Sequence, residues 1–106
     1  MTELPSITDD QASELAEMFR LMGEPSRPRI ILACLKQPTC VSDVAARTQL
    51  SPSLVSHHLR LLRATRILRA ERRGKQVFYT LADDHVWCTI TDMVAHVGEQ
   101  FDPDEA

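Results

Sequence analysis

No stretch of this chain approaches the roughly 18 consecutive apolar residues that a membrane-spanning helix needs, so no helical span is expected. The opening MTELPSITDD lacks the basic and apolar zones of a secretory signal. Cysteine is scarce and odd in number: Cys34, Cys40 and Cys88 offer no paired framework, which fits free thiols in a reducing compartment. A soluble cytoplasmic protein is the expectation. With 106 residues, 43% hydrophobic and 25% charged, the chain can bury one modest core. One domain over 1–106 follows, with no room for a separate catalytic domain and a structural gain from dimerisation.

The formal net charge of −3 argues against a nucleic-acid partner until it is mapped along the chain. Residues 83–106 hold seven acids and no Lys or Arg, and residues 1–24 hold six acids against one Arg. Residues 27–75 hold eleven Lys and Arg against Asp43 and Glu71. A strongly basic middle thus lies between acidic ends, and it is the local field that attracts phosphate.

The pattern predicts mainly α structure with a β-hairpin. Asp9 and Asp10 open a first helix whose apolar positions Leu15, Met18, Phe19 and Leu21/Met22 recur at helical spacing up to Gly23. A second begins near Ser26, with Pro28 tolerable in its first turn and Ile30, Ile31, Cys34 and Leu35 as its stripe. The pair spans 9–36. A helix-turn-helix is expected over 41–63: a short helix through Val41, Val44 and Ala45, then a second opened by Ser51-Pro52, an N-cap followed by Pro at the first helical position.

That second helix sorts its residues by face. Val55, Leu59 and Leu62 should pack inward, whereas Ser53, Ser56, His57 and Arg60 form a polar stripe suited to the major groove. Small hydroxyls permit close approach, Arg60 can bond guanine or phosphate, and Ser51 starts the helix. Residues 67–81 then read as two strands around Arg73-Gly74-Lys75, a hairpin with a basic tip. Arg72, Arg73 and Lys75 would lie on backbone or minor groove and add salt-dependent affinity. A helix-turn-helix followed by a basic hairpin is a winged helix.

The last helix is expected over 84–101. His85 and His96 are eleven residues apart, about 1100° of rotation, so they share a face to within about 20° yet stand roughly 16 Å apart along the axis. One helix therefore cannot bring both to one ion with bonds of about 2 Å. An antiparallel partner helix in a two-fold dimer would set His85 of one subunit beside His96 of the other, giving two equivalent sites. Asp83 precedes His85 by two residues and Glu99 follows His96 by three, so each half brings an imidazole and a carboxylate. Two nitrogens and two oxygens suit zinc, with cobalt as a substitute.

From about Phe19 to Glu99 the chain resembles the ArsR/SmtB family of metal-responsive repressors. The resemblance rests on Gly23-Glu24-Pro25-Ser26-Arg27, Cys40-Val41-Ser42-Asp43-Val44-Ala45, Ser51-Pro52-Ser53-Leu54-Val55-Ser56-His57-His58-Leu59, Arg73-Gly74-Lys75-Gln76-Val77-Phe78-Tyr79, and on Asp83, His85, His96 and Glu99. It implies a homodimer that sits on double-stranded operator DNA, an imperfect palindrome, and lets go when zinc binds, raising expression of an efflux or sequestration protein. It also implies a coupling route in which the second ring nitrogen of His96 reaches backbone near Arg66.

Departures from the family pattern narrow the effector. Ser42 stands where sensors of arsenic, cadmium or lead carry the second cysteine of a Cys-x-Cys pair, so Cys40 reads as a small buried residue. The end FDPDEA holds no extra histidine of the kind nickel and cobalt sensors use. Pro28 replaces the usual aliphatic residue. Rival readings are the same fold answering another metal (cobalt, nickel, cadmium) or thiol redox state, and, far behind, a small zinc hydrolase on His85 and His96; no catalytic residue is assigned.

Overall fold

A reciprocal cap sets the chain's entry into its first helix. In the computed structural model, which describes residues 4–99 and Asp104, the Gln11 N–H donates to the Thr8 hydroxyl at 3.1 Å. The Thr8 N–H in turn donates to the Gln11 side chain at 2.9 Å. Both orphan donors are thereby satisfied. Thr8 is the cap, and Asp9 and Asp10 instead occupy the first turn of α1 (Asp9–Met22), where the helix dipole favours acids.

Helix α2 (Ser26–Ala33) stops three residues short of the expected end. Its last turn tightens, with Cys34 N–H donating to the Ile31 carbonyl at 3.0 Å and Leu35 N–H to the Leu32 carbonyl at 3.2 Å. The Ala33 carbonyl is claimed by the Arg47 guanidinium at 2.9 Å and the Thr39 hydroxyl at 3.3 Å. The chain then makes a short strand that the sequence pattern does not announce, β1 (Thr39–Cys40).

The helix-turn-helix follows as α3 (Val41–Thr48) and α4 (Pro52–Ala64). The turn between them needs a left-handed residue, and Gln49 supplies it with φ 60°, its N–H donating to the Ala45 carbonyl at 2.8 Å. Ser51 caps α4 by accepting from Leu54 N–H at 3.2 Å. The far end of α4 closes with Ile67 N–H on the Leu62 carbonyl and Arg66 N–H on the Arg63 carbonyl, both at 3.0 Å, around a left-handed Arg66 with φ 63°. That is the Schellman arrangement, made without its usual glycine.

Strands β2 (Leu68–Arg73) and β3 (Gln76–Leu81) pair antiparallel from Leu68 opposite Leu81 to Arg73 opposite Gln76. Gly74 takes φ 62° in the two-residue turn, a backbone that a side chain would strain. Strand β1 joins the free edge of β3, giving a three-stranded sheet in the order β1-β3-β2. Helix α5 (Asp84–Gly98) completes the order; residues 100 and 101, the end of the helix as anticipated, lie outside the described residues. The arrangement is a mainly α winged helix-turn-helix.

The buried core cluster draws on α2, α3, α4, β2 and β3. Ile30 and Ile31 of α2, Val44 of α3, and Val55, Leu59 and Leu62 of α4 are wholly buried, with Ile67, Leu68, Tyr79 and Leu81 from the sheet side. Burial of such side chains stabilises by roughly 1.5–3 kcal/mol each. Helix α1 buries Leu21 alone and α5 buries none of its residues.

One polar side chain sits within this apolar grip. His58, on the inward side of α4, is buried. Its Nδ1 accepts from Arg27 Nε at 3.0 Å, and Arg27 also donates to the Leu21 carbonyl at 3.0 Å. The bond fixes a neutral ring and ties α4 to the start of α2. Burial lowers the His58 pKa from 6.5; the nearby Arg27 and His57 push the same way and Glu24 opposes them. A depressed histidine contributes stability that is complete above its unfolded value and is lost as pH falls through the folded one. The urea midpoint of the wild type should therefore begin to fall below pH 6.5. That of His58→Gln, whose amide can still accept from Arg27 but does not titrate, should fall less over the same interval, before the carboxylates protonate.

Candidate functional site

The outward face of α4 carries the polar stripe that the spacing anticipated. Ser51, Ser53, His57 and Arg60 are exposed and Ser56 is partly so, while Val55, Leu59 and Leu62 point inward. The Ser51 and Ser53 hydroxyls lie 3.4 Å apart. A side chain that the stripe omitted stands among them: Leu54 is 40% exposed.

At the wing, Arg72, Arg73 and Lys75 are all exposed. Arg73 is held by Glu71 at 3.2 Å and lies over the Phe78 ring, 5.2 Å from its centroid. The Arg72 Nε donates to the Gly74 carbonyl at 3.2 Å. Lys75 lines an open groove of about 390 Å³ with Pro52 and Cys40, between the wing and the first turn of α4. The basic tip and the start of α4 therefore share one side of the molecule.

The four candidate metal donors fall into two pairs at opposite ends of α5. Asp83 is the N-cap, its Oδ1 accepting from Val86 N–H at 3.0 Å, which leaves the second oxygen to point elsewhere. Asp83 and His85 border the same groove, about 670 Å³, whose other walls include Arg66 at the end of α4. His96 and Glu99 are linked at the other end, where Glu99 N–H donates to the His96 carbonyl at 3.2 Å and Glu99 leaves the helix with ψ 145°. All four are exposed. No group of three or more His, Cys, Asp and Glu gathers within one chain among the described residues, consistent with helical rise separating the pairs. Arg66 belongs to the His85 end of α5 and not to the His96 end.

Apolar side chains also crowd the outer surface. Trp87, Met93, Val94 and Val97 of α5 and Leu15 and Phe19 of α1 are exposed, Phe19 at 64% and Val97 at 79%.

The sequence profile described as bacterial regulatory protein, arsR family, matches residues 24–70. A transcriptional repressor SmtB homolog from Synechocystis is 42% identical over 90 residues, covering 85% of this chain and 68% of that one. This chain belongs to the ArsR family. The HTH-type transcriptional repressor SmtB of Mycobacterium tuberculosis is 36% identical over 83 residues, covering 78% of this ArsR chain, which spans 62% of that relative's length. The homodimeric winged helix-turn-helix DNA-binding domain of Mb0332 from Mycobacterium bovis superposes with a TM-score of 0.82 at 17% identity, covering 96% of this chain and 94% of its own. These relatives place the chain among ArsR/SmtB transcriptional regulators, not enzymes.

The cysteines divide plainly. Cys34 is fully buried and its thiol is pushed up to about 12 by burial, with Arg47 opposing, so it stays protonated. Cys40 is buried with its Sγ 3.3 Å from the Ser42 hydroxyl, and Cys88 is exposed.

Two features lie beyond what the sequence pattern reveals. The Arg27–His58 bond is detectable there only as a polar residue on the inward stripe, since position 58 follows Val55 by three. The Glu14–Arg66 ion pair, 3.6 Å and exposed at both partners, leaves no trace in a pattern.

Asp83 has a structural duty separable from any metal. Asp83→Ala should lower stability by about 1 kcal/mol through loss of the α5 cap, whereas Asp83→Ser, an equivalent capping residue, should restore it without the carboxylate. Urea unfolding of the metal-free proteins checks this, and equal stability of the Ala and Ser variants would contradict it.

Proposed function

We propose that this chain is a homodimeric repressor that occupies an imperfectly palindromic operator when metal-free and is released by zinc held at two symmetric intersubunit sites. The observation that carries this reading is the arrangement of α5. It holds Asp83 and His85 at one end and His96 and Glu99 at the other, on a helix that buries none of its residues and exposes four large apolar ones. An antiparallel pairing of two copies would cover those side chains and bring each His85 end to the partner subunit's His96 end. The relatives' family and the exposed side of α4 and the wing support the DNA half of the proposal.

The donor set fits the ion: two imidazoles and two carboxylates make a closed four-coordinate shell for zinc. Zinc would supply a crosslink between subunits. The chain's own residues do the rest. The cap bond to Val86 orients the Asp83 carboxylate, and the Glu99 position just past the helix gives its side chain reach beyond the α5 surface. A ligating His96 has one ring N–H left to donate. With Arg66 beside His85 in its own chain, the antiparallel pairing brings His96 to the partner subunit's Arg66. A bond from the ring to backbone there would join the metal end of one subunit to the end of the other's DNA-reading helix. Metal and operator then favour different dimer geometries, which is the requirement for coupling.

Operator anisotropy tests the reading. Zinc should weaken wild-type binding by roughly 5–150-fold, the usual range of allosteric coupling, and His85→Ala should show no zinc effect. His96→Gln should keep part of the metal affinity and lose the regulation; full zinc-driven release by that variant would sink the coupling route, and release by His85→Ala would sink the site.

The DNA-facing assignments separate by salt. Lys75→Ala should reduce the slope of log affinity against log salt by about 0.9 for each phosphate that the lysine neutralises, with little change in sequence preference. Arg60→Ala should weaken binding by about 1–3 kcal/mol at one base position if it pairs with guanine. An unchanged slope for Lys75→Ala would remove the wing from the interface.

A further inference from the structure

Beyond the polar stripe, α4 shows one exposed large aliphatic side chain among the described residues, Leu54. We infer that Leu54 is a sequence-reading residue that contacts the C5-methyl group of an operator thymine. The inference rests on the DNA-binding reading above and adds to it a base preference and the side chain that sets it.

Position carries the argument first. Leu54 is the third residue of α4, and the N-terminal residues of a recognition helix are the ones that meet base edges. Its backbone is locked, because Leu54 N–H donates to the capping Ser51 hydroxyl at 3.2 Å. Exposed Ser53 precedes it and exposed His57 follows one turn later, so Leu54 borders the stripe proposed to face the groove.

The other occupant for an exposed leucine, a second copy of the chain, is disfavoured by where the apolar surface lies. Leu15, Phe19, Trp87, Met93, Val94 and Val97 belong to α1 and α5. Those helices approach α4 at its C-terminal end, where Met18 shares a groove with Ala64, and Val86 shares one with Arg63. From Leu54 to Ala64 is roughly 15 Å along the helix axis. The start of α4 faces the wing instead, through the groove between Pro52 and Lys75.

Chemistry then selects the target. In the major groove the base edges present mainly hydrogen-bonding groups, and the thymine methyl is the one apolar group that projects from them beyond a C–H. A leucine there gains less from the edges of guanine, adenine or unmodified cytosine. It buries a methyl against thymine.

The test begins with metal-free wild-type protein and selection of a preferred duplex from a randomised pool. Each thymine of that duplex is then replaced singly by deoxyuridine, which removes only the methyl. Anisotropy with wild type should find a symmetry-related pair of thymines whose replacement weakens binding by about fourfold, the equivalent of one buried methyl group. Leu54→Ala should bind the thymine and uracil duplexes of that pair equally while retaining any other uracil effects. Leu54→Ser, selected afresh from the pool, should lose the thymine preference at the same positions. Identical uracil profiles for wild type and Leu54→Ala, or no sensitive thymine in the wild type, would overturn the assignment. Failure of the wild type to enrich any duplex would instead remove the DNA reading, and the assignment with it.

Discussion

An unburied helix governs much of what this molecule must do. Helix α5 contributes Val86 and Ile90 to the edge of the core and leaves Trp87, Met93, Val94 and Val97 in solvent. An isolated helix of about this length is marginal in water, and helices in proteins owe most of their stability to packing of an apolar face. The cap at Asp83 secures one end only. In the proposed pairing a second α5 would supply the missing surface; α1 also leaves Phe19 and Leu15 exposed. The pairing that satisfies the helix is also the pairing that would unite the two halves of each metal site. Stability and sensing therefore place the same demand on the chain.

The opposite side of the molecule is built for rigidity. Helix α4 is held on its inner face by Val55, Leu59 and Leu62, and laterally by the Arg27–His58 bond. Its two ends are fixed by Ser51 and by the Schellman closure at Arg66. A reading helix set this firmly moves as a body with its subunit. On the proposed reading, small changes in how two subunits meet would then reach the spacing of two reading helices, where half-sites lie about one helical turn apart. Softer attachment of α4 would absorb the change locally.

Much of this was legible because periodicity and punctuation agree along most of the chain. Ser51-Pro52 marked the start of α4, Gly74 marked the wing turn, and the 55-59-62 stripe marked the buried face. What was missed has a common character. The β1 strand has two residues, too short for alternation to register, and it exists because β3 offers a free edge to Thr39 and Cys40. The left-handed residues at Gln49 and Arg66 carry none of the glycine signal by which such turns are usually read. Surrounding packing over-determines them at a cost of roughly 1–2 kcal/mol each. For the four candidate metal donors, spacing alone gave the division into two pairs. It could not give the neighbour of each pair, and the fold places Arg66 at the Asp83–His85 end.

That neighbour relation alters the logic of the coupling. Had Arg66 stood beside His96 in the same chain, a metal-induced bond between them would stiffen one subunit and say nothing about the other. With Arg66 at the Asp83–His85 end of α5, the proposed bond from His96 would have to cross the dimer. Each proposed site would then join the metal end of one subunit to the reading helix of its partner, and the two together would tie the reading helices to each other through both copies of α5. Linkage is reciprocal, so under this proposal an operator that resists the crossed arrangement would weaken zinc binding by the same factor by which zinc would weaken the operator complex. On the proposed reading the dimer seam is the element whose geometry both ligands would bias, and the eleven-residue interval between His85 and His96 is what would place the metal on it.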